Sequence, residues 1–196
     1  MTRIIAGQAG GRRLATAPGT TTRPTADRTR EGLFATVLAL LGGLDGAAVL
    51  DLYAGSGAVG LEALSRGAAD VLLVEADGRA ARVITENIDL VGLPGAHLVT
   101  DKVDRVLARG PGDTPARDFV FADPPYAVSD HELTQMLSAL LRHRWLAPGA
   151  LVAIERSTRS GPPEWPAGYE SDRSRRYGEA MLWYGLAAGP SLLLLP

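Results

Sequence analysis

The chain has 196 residues, 46% of them hydrophobic, which predicts one domain with a sizeable core. It contains no cysteine, so disulfides, thiolate zinc sites and cysteine nucleophiles are excluded, and its three histidines lack metal-site spacing. The formal net charge of −2 argues against attraction of the whole molecule to nucleic acid. Neither end has an apolar segment long enough for a signal peptide or a membrane span. We therefore expect a cytoplasmic protein that uses no metal and no membrane.

Positive charge is concentrated towards the two ends of the chain. Residues 1–31 contain six arginines against one aspartate and one glutamate, and residues 156–176 also favour arginine. The middle of the chain is correspondingly acidic. Basic ends of this kind favour RNA phosphate as a partner, although a GC-rich genome would also raise the arginine content.

The first part of the chain predicts a hairpin followed by a helix. Residues 3–16 have short apolar stretches on either side of a glycine-rich turn, a pattern typical of a hairpin. Residues 20–24 form a polar linker. Between about Ala26 and Leu41, apolar residues recur at helical spacing, and the glycine pair that follows ends the helix.

Strands and helices alternate through the rest of the chain. Short apolar runs predict five buried strands, at Ala47–Leu52, Asp70–Glu75, Ala96–Thr100, Phe119–Ala122 and Leu151–Glu155. Helices are predicted at Ala58–Ser65, from the N-cap Asp77 to Gly92, and from the capping-box residue Ser129 to His143. This alternation indicates a parallel, doubly wound α/β sheet. Residues 169–186 lack a helical pattern, which favours an antiparallel hairpin that closes the sheet.

A glycine-rich loop, residues 51–60, joins the first of these strands to its helix. Its glycines allow a tight turn and the close approach of a ligand at the carboxyl end of the strand. Glu75 ends the next strand and is placed to bind ribose hydroxyls. The glycine spacing also fits a dinucleotide-binding loop, but Asp51 would repel a pyrophosphate and suits the amino-acid part of S-adenosyl-L-methionine. The residues predicted to bind this cofactor are Asp51, Tyr53, Ala54, Gly55, Ser56, Gly57, Glu75, Ala76, Asp101, Lys102 and Val103.

The second chemical signal is the Asp-Pro-Pro-Tyr loop, residues 123–126, directly after the fourth strand. Two prolines stiffen the loop and remove two N–H donors, so it presents oxygen acceptors. We expect the Asp123 carboxylate and the Pro124 carbonyl to accept the N–H groups of an exocyclic amine and to orient its lone pair towards a methyl group. Tyr126 would stack on a base. The predicted catalytic residues are Asp123, Pro124, Pro125 and Tyr126. A turn that only buries a tyrosine is the alternative.

Together these motifs resemble the RsmD family of class I methyltransferases. The shared segments occur in the same order: Arg3–Gly7, Gly11–Leu14, Arg23–Glu31, Asp51–Gly60, Asp123–Tyr126 and Arg176–Gly178. The resemblance implies a Rossmann-like α/β fold with a seven-stranded, mostly parallel sheet, an antiparallel C-terminal hairpin and a short N-terminal β-hairpin extension. It also implies methylation of a guanine N2 in 16S ribosomal RNA of an assembling or assembled small ribosomal subunit, with S-adenosyl-L-methionine as donor.

On this basis we divide the chain into three parts. Residues 1–24 form an RNA-binding hairpin extension, residues 25–188 form the methyltransferase domain, and residues 189–196 form a tail of unknown role. Arginines near the chain ends are expected to contact phosphate, although a solvated or bracing side chain is the alternative for each. These arginines are Arg12, Arg13, Arg23, Arg28, Arg30 and Arg176.

Two other classes of function are compatible with the motifs. The Asp-Pro-Pro-Tyr loop would also suit adenine N6 in DNA or a protein glutamine as the methyl acceptor. A non-catalytic RNA-binding assembly module is the second alternative. The presence of Asp51, Glu75 and Asp123 argues against such a module, because RNA binding alone does not need these acids.

Overall fold

The computed structural model describes residues 2–16 and 24–189 of the chain. Arg23, most of the predicted linker and residues 190–196 of the predicted tail lie outside the described residues. Within the described ranges, no helix is both long and apolar enough to cross a membrane.

A small hairpin precedes a large sheet that carries helices on both faces. The hairpin pairs β1 (Thr2–Arg3) with β2 (Arg13–Leu14) in antiparallel fashion, as predicted. The other strands are β3 (Ala48–Leu52), β4 (Asp70–Val74), β5 (Ala96–Val99), β6 (Arg117–Ala122), β7 (Leu146–Ser157), β8 (Tyr169–Tyr177) and β9 (Ala180–Ala187). The helices are α1 (Pro24–Leu41), α2 (Ala58–Ser65), α3 (Gly78–Val91), α4 (Val103–Arg109) and α5 (Asp130–Arg142).

In the described residues, the large sheet has seven strands in the order β5-β4-β3-β6-β7-β9-β8. Neighbouring strands from β5 to β7 are parallel, whereas β9 is antiparallel to both β7 and β8. The predicted mostly parallel sheet with an antiparallel C-terminal hairpin is therefore confirmed. Since β3 adjoins β4 on one side and β6 on the other, the strand order reverses there. Ligands of such sheets bind outside the carboxyl ends of the strands at this reversal.

The largest differences from the prediction are one additional helix and the start of one strand. The sequence pattern does not predict α4, because its seven residues make about two turns and give no repeated apolar spacing. Strand β7 begins at Leu146, five residues before the predicted start at Leu151. Pro148 and Gly149 interrupt the apolar run, yet the backbone already pairs with β6 at Leu146.

The two faces of the sheet bury separate hydrophobic clusters. Alternation along β3 places Val49 in a cluster with residues of α1, α2 and α3, and Leu50 in a cluster with residues of α4 and α5. The hairpin contributes Ile4, Ala9 and Leu14 to the first cluster. The N-terminal extension is therefore packed into the core of the sheet domain.

A buried carboxylate on α2 holds the chain between the two hairpin strands. Glu62 is fully buried, and it accepts the amides of Ile5 and Ala6 at 2.6 and 3.0 Å. It also pairs with the guanidinium groups of Arg66 at 2.8 Å and Arg30 at 3.8 Å. These partners compensate a buried charge that would otherwise strongly destabilise the fold.

Gly7 allows the hairpin to lie directly against the end of α2. Its φ is +84°, and a Cβ at this position would lie 1.9 Å from the carbonyl oxygen of Ser65. The Ser65 hydroxyl accepts the Ala9 amide at 2.9 Å and donates to the Ala6 carbonyl at 2.6 Å. The hairpin is thus bonded to α2 across a gap that only glycine fits.

We expect Gly7→Ala to destabilise the fold more than Gly11→Ala. The two glycines have φ of +84° and +85°, so both substitutions introduce backbone strain of about 1–2 kcal/mol. Only at Gly7 does the new Cβ meet backbone, since no described atom lies within 4 Å of one at Gly11. In urea titrations the free energy of unfolding should fall at least twice as far for Gly7→Ala. Equal losses would show that the contact with Ser65 relaxes without cost.

Candidate active site

The carboxyl ends of neighbouring strands bring four acids to one edge of the sheet. Asp51 lies in β3, and Glu75 directly follows β4. Asp123 directly follows β6, and Glu155 lies in the adjacent strand β7. A cleft of about 240 Å³ and a larger one of about 1520 Å³ open here and share Tyr53, Asp123 and Glu155 as lining residues. Within residues 2–16 and 24–189, no group of three or more such side chains is arranged to hold a metal ion.

The glycine-rich loop turns sharply between β3 and α2. Tyr53, Gly55 and Gly57 have positive φ angles of 59°, 59° and 76°. The Gly57 amide donates to the carbonyl of Ala54 at 2.7 Å. A Cβ on Gly57 would lie 3.0 Å from the Leu73 side chain, whereas the nearest described atom to a Cβ on Gly55 is 4.0 Å away. Gly57 is therefore needed for packing, and Gly55 leaves open space above the loop.

Asp51 supports this loop from within the sheet. Its side chain is buried, and Oδ2 accepts the amide of Gly60, in α2, at 2.8 Å. The pKa of Asp51 is raised to about 8 because burial raises it strongly, the hydrogen bond from Gly60 lowers it in part, and the charges of Asp123 and Glu75 also raise it. The structure therefore gives Asp51 an anchoring role for α2, while its contact with a cofactor stays a prediction.

Glu75 connects the glycine-rich loop to the end of β4. Its Oε2 accepts the amide of Gly55 and its Oε1 accepts the amide of Asp77, both at 2.8 Å. Glu75 and Ala76 line the larger cleft. Each carboxylate oxygen has further acceptor capacity, so Glu75 can bind the hydroxyls of a ribose and keep both backbone bonds.

The loop after β5 brings two of its three predicted residues to the larger cleft, which Lys102 and Val103 line. The carboxylate of Asp101 instead accepts the Lys102 amide at 2.8 Å and pairs with Arg109 at 2.6 Å. These hydrogen bonds lower the pKa of Asp101. Asp101 lines neither cleft, and it fixes the start of α4 beneath them.

All residues of the Asp-Pro-Pro-Tyr loop line the larger cleft: Asp123, Pro124, Pro125 and Tyr126. The Asp123 amide donates to the carbonyl of Leu52 at 3.4 Å, which ties the loop to the end of β3. The carbonyl of Pro125 accepts the amide of Val128 at 2.9 Å. In the described part of the chain, nothing donates to the Pro124 carbonyl, and the Tyr126 side chain is 94% exposed. An acceptor and an aromatic ring are therefore open to a ligand.

Glu155 is a site residue that the sequence prediction omits. Ala122 pairs with Ile154 in the parallel register of β6 and β7, so Asp123 and Glu155 are neighbours one step further along. Burial raises the pKa of Asp123 to about 6. Burial, with a smaller contribution from the charge of Asp123, raises the pKa of Glu155 to about 7. One feature of the sequence could have identified Glu155 as a site residue. It is the last residue of a predicted strand, at the same sheet edge as Asp123.

This acid pair makes the stability of the fold depend on pH. In the unfolded chain, both groups titrate near about pH 4, so at intermediate pH the folded protein binds more protons than the unfolded one. The stability that the pair contributes is fully present below that value. It is lost as the pH rises through the folded-state pKa values of about 6 and 7.

Comparison with known proteins identifies the family. A family described as conserved hypothetical protein 95 matches residues 2–185. Ribosomal RNA small subunit methyltransferase D of Escherichia coli K12 is 36% identical over 177 residues, which cover 90% of this chain and 85% of that protein. The protein of the same name in Haemophilus influenzae is 34% identical over 154 residues, 78% of this chain and 77% of that protein. The chain belongs to the RsmD family.

Solved structures agree with this assignment. The protein yhhF from Escherichia coli has a TM-score of 0.81 and 32% identity over 96% of this chain and 98% of that chain. A hypothetical protein of Thermus thermophilus has a TM-score of 0.76 and 31% identity over 94% of this chain and 98% of that chain. The resemblance to the RsmD family and the Rossmann-like class I methyltransferase fold are therefore both confirmed.

The arginines predicted to bind RNA lie in different settings in this RsmD-family chain. Arg13, Arg28 and Arg176 are exposed. Arg12 is also exposed, but its guanidinium donates to the carbonyls of Leu90, at 3.4 Å, and Val91. These carbonyls end α3, where a positive charge is favourable. Arg12 therefore braces the hairpin against α3 as well as presenting charge.

Arg30 is a correction to the predicted RNA surface. It is only 6% exposed, and it donates to the Thr2 hydroxyl at 3.1 Å and to the Arg3 carbonyl at 2.6 Å. It also pairs with Asp27 at 3.0 Å. The guanidinium is turned inward because α1 packs against the hairpin, so its donors serve the fold and not phosphate groups.

We expect Asp123→Asn to lower the pKa of Glu155. The substitution removes the neighbouring negative charge but keeps the burial, which is the larger cause, so the pKa should move only part of the way down from about 7. Titration of the side-chain carboxyl carbon of Glu155 by ¹³C NMR measures this shift. Asp101→Asn is the control, because it removes an acid that is bonded to Arg109 and lines neither cleft. An unchanged pKa in Asp123→Asn would contradict the contact between the two acids.

Proposed function

We propose that this RsmD-family protein methylates the exocyclic N2 of a guanine in 16S ribosomal RNA of the small ribosomal subunit, with S-adenosyl-L-methionine as methyl donor. The observation that carries the proposal is the meeting of the glycine-rich loop and the Asp-Pro-Pro-Tyr loop at clefts that share Tyr53 and Asp123. A nucleoside cofactor suits the first loop and an amine suits the second. The relatives named ribosomal RNA small subunit methyltransferase D support ribosomal RNA as the acceptor.

The residues around the glycine-rich loop fit the proposed cofactor. Glu75 offers ribose acceptors that two backbone amides hold in place. Lys102 and Val103 line the larger cleft, and we assign them to the adenine. The space over Gly55 admits the amino-acid part. The acids at this edge, including Glu75 and Asp123, favour a cationic ligand over a pyrophosphate. When bound, S-adenosyl-L-methionine supplies a methyl group on a positively charged sulfur that leaves as a neutral thioether.

The Asp-Pro-Pro-Tyr loop prepares the amine for attack. An exocyclic amine is a weak nucleophile because its lone pair is delocalised into the ring. The Asp123 carboxylate and the Pro124 carbonyl accept its two N–H groups and turn the lone pair towards the methyl carbon. With the methyl donor bound, attack by this nitrogen would form the carbon–nitrogen bond as the carbon–sulfur bond breaks, and the nitrogen would then release one proton. Asp123 suits this proton because burial raises its pKa, and Tyr126 stacks on the base.

RNA contacts are assigned to the basic hairpin extension, residues 1–24, and to exposed arginines beside it. Arg13 and Arg28 belong to this surface, and Arg12 contributes the donors that α3 does not engage. Arg176, on β8, extends the basic surface from the other end of the chain. Arg23 is assigned here from its place in the sequence and lies outside the described residues. The proposed substrate is 16S ribosomal RNA in an assembling or assembled small subunit. We therefore place the enzyme in the cytoplasm.

We expect Asp123→Ala to abolish methyl transfer without loss of cofactor affinity. Removing one such positioning acceptor should lower kcat by at least about 100-fold. Transfer of labelled methyl to small-subunit particles from a strain that lacks this gene measures the activity, and calorimetry measures the Kd for S-adenosyl-L-methionine. Near-normal turnover of Asp123→Ala would refute its assigned role.

Glu75→Gln is the control for Asp123→Ala, because we expect it to affect cofactor binding and not methyl transfer. It should raise the Kd for the cofactor and leave methyl transfer at saturating cofactor close to normal. Mapping the modified base in wild-type reactions tests the acceptor itself. Activity on DNA or on a protein factor with none on particles would overturn ribosomal RNA as substrate. Failure of the wild-type protein to bind the cofactor would favour the non-catalytic module.

We expect Arg13→Ala to weaken RNA binding and to reduce its dependence on salt. Loss of one phosphate contact should lower the slope of log K against log salt by about 0.7–0.9. Arg13→Lys keeps the charge and should keep the slope. Measuring 16S fragment affinity at several salt concentrations separates the two variants. An unchanged slope for Arg13→Ala would show that Arg13 does not contact phosphate.

A further inference from the structure

Glu155 lines both clefts at the active site, and its carboxylate has no donor among the described residues. Within residues 2–16 and 24–189, its carboxylate makes neither a hydrogen bond nor an ion pair. The neighbouring Arg156 pairs with Asp130 at 2.6 Å. Arg30 lines the smaller cleft, yet its guanidinium is engaged by the hairpin and by Asp27. Glu155 therefore presents an unmatched acceptor to whatever enters the cleft.

Asp123 provides a second acceptor beside it. The register of β6 and β7 sets Asp123 and Glu155 on adjacent strands, and the side chain of Asp123 also lacks a donor among the described residues. The side chain of Glu155 is half-buried and Asp123 is exposed to the larger cleft, so both acceptors are open to a ligand. A ligand that supplies two adjacent N–H groups at this place would bond to both.

Among the standard bases, guanine has this arrangement. Its N1–H and its N2 amine are adjacent donors on the Watson–Crick edge. Adenine and cytosine place an acceptor nitrogen beside their amine, and uracil has a single N–H between two carbonyl groups. A primary amide, such as glutamine, places a carbonyl beside its amine. A flipped or unpaired base is read through this edge.

We propose that Glu155 selects guanine by accepting its N1–H beside the N2 amine that Asp123 orients. This assignment rests on the proposed function and adds a specificity-determining residue to it. An adenine with its amine on Asp123 would turn the lone pair of N1 towards the Glu155 carboxylate, which repels it. The carboxylate pair thus distinguishes guanine from adenine at N1, the ring atom adjacent to the carbon that carries the methylated amine of guanine.

The ionisation of Glu155 is part of this selection. The Glu155 carboxylate must be charged to accept N1–H. Guanine binding therefore releases to solvent any proton that Glu155 carries, whereas the proton on N1 stays on the base. Asp51 in β3 and Arg30 in α1 line the same cleft, together with Tyr53 directly after β3 and Asp123 directly after β6. Asp51 and Asp123 also have a raised pKa, so they contribute to the pH dependence of guanine binding as well. The contribution of Glu155 is therefore measured as the difference in pH dependence between the wild type and a variant at residue 155.

The test replaces the N1–H of the substrate and the carboxylate of the protein in combination. Small-subunit particles are reconstituted with 16S ribosomal RNA that carries either guanine or 2,6-diaminopurine at the mapped position. The analogue keeps the 2-amino group but has a bare acceptor at N1. Wild type should prefer guanine by at least about tenfold in kcat/KM, since a buried polar group left unpaired discriminates strongly. In Glu155→Gln, whose amide both donates and accepts, the ratio should fall to near one.

Two further variants make the outcome decisive. Glu164→Gln removes an exposed acid in the loop after β7 and should keep the wild-type ratio. Glu155→Asp keeps a carboxylate, so it should keep the preference for guanine at lower kcat/KM, and it replaces Glu155→Gln if that variant does not fold. An unchanged ratio in Glu155→Gln, or equal loss on both substrates, would overturn the assignment while guanine methylation by wild type stands. A wild type that methylates no guanine would overturn the proposed function itself.

Discussion

The buried carboxylate of Glu62 connects the parts of the molecule on which the active site depends. It binds the hairpin through the amides of Ile5 and Ala6, and it pairs with Arg30 of α1 and with Arg66 beyond α2. Because α2 starts where the glycine-rich loop ends, the hairpin cannot shift without moving the support of that loop. Breaking a buried pair of this kind typically costs about 3–5 kcal/mol, so the arrangement behaves as one unit.

Asn87 of α3 carries the connection to the cofactor side of the site. Its Oδ1 accepts the amide of Ala15 at 2.7 Å, and its Nδ2 donates to the carbonyls of Ala15 at 3.0 Å and Ser56 at 2.8 Å. One buried amide thus contacts both the end of the hairpin and the glycine-rich loop. Asn87 therefore connects the described part of the extension directly to the loop that is proposed to hold the cofactor.

Local patterns predicted most of the fold, and the failures arise where distant residues decide. Apolar periodicity and caps located α3 and α5, because helix ends are specified within a few residues. The burial of Arg30 depends on Thr2 and Glu62, which are far away in sequence, so its neighbourhood reads as an exposed basic cluster. Glu155 has no local motif for the same reason, since only the pairing of β6 with β7 sets it beside Asp123.

The separation of charge explains how a chain of net charge −2 can serve as an RNA enzyme. Asp123 and Glu155 leave the clefts acidic, and the nearby cation Arg30 is turned towards Glu62 and the hairpin. Under the proposed function, phosphate would be repelled by these acids and attracted to the exposed arginines outside the clefts. A nucleotide can satisfy both surfaces only with its backbone on the basic extension and its base edge among the acids. This geometry would require the target base to be unpaired or flipped, and the guanine of the proposed function would then be recognised through acceptors rather than through net charge.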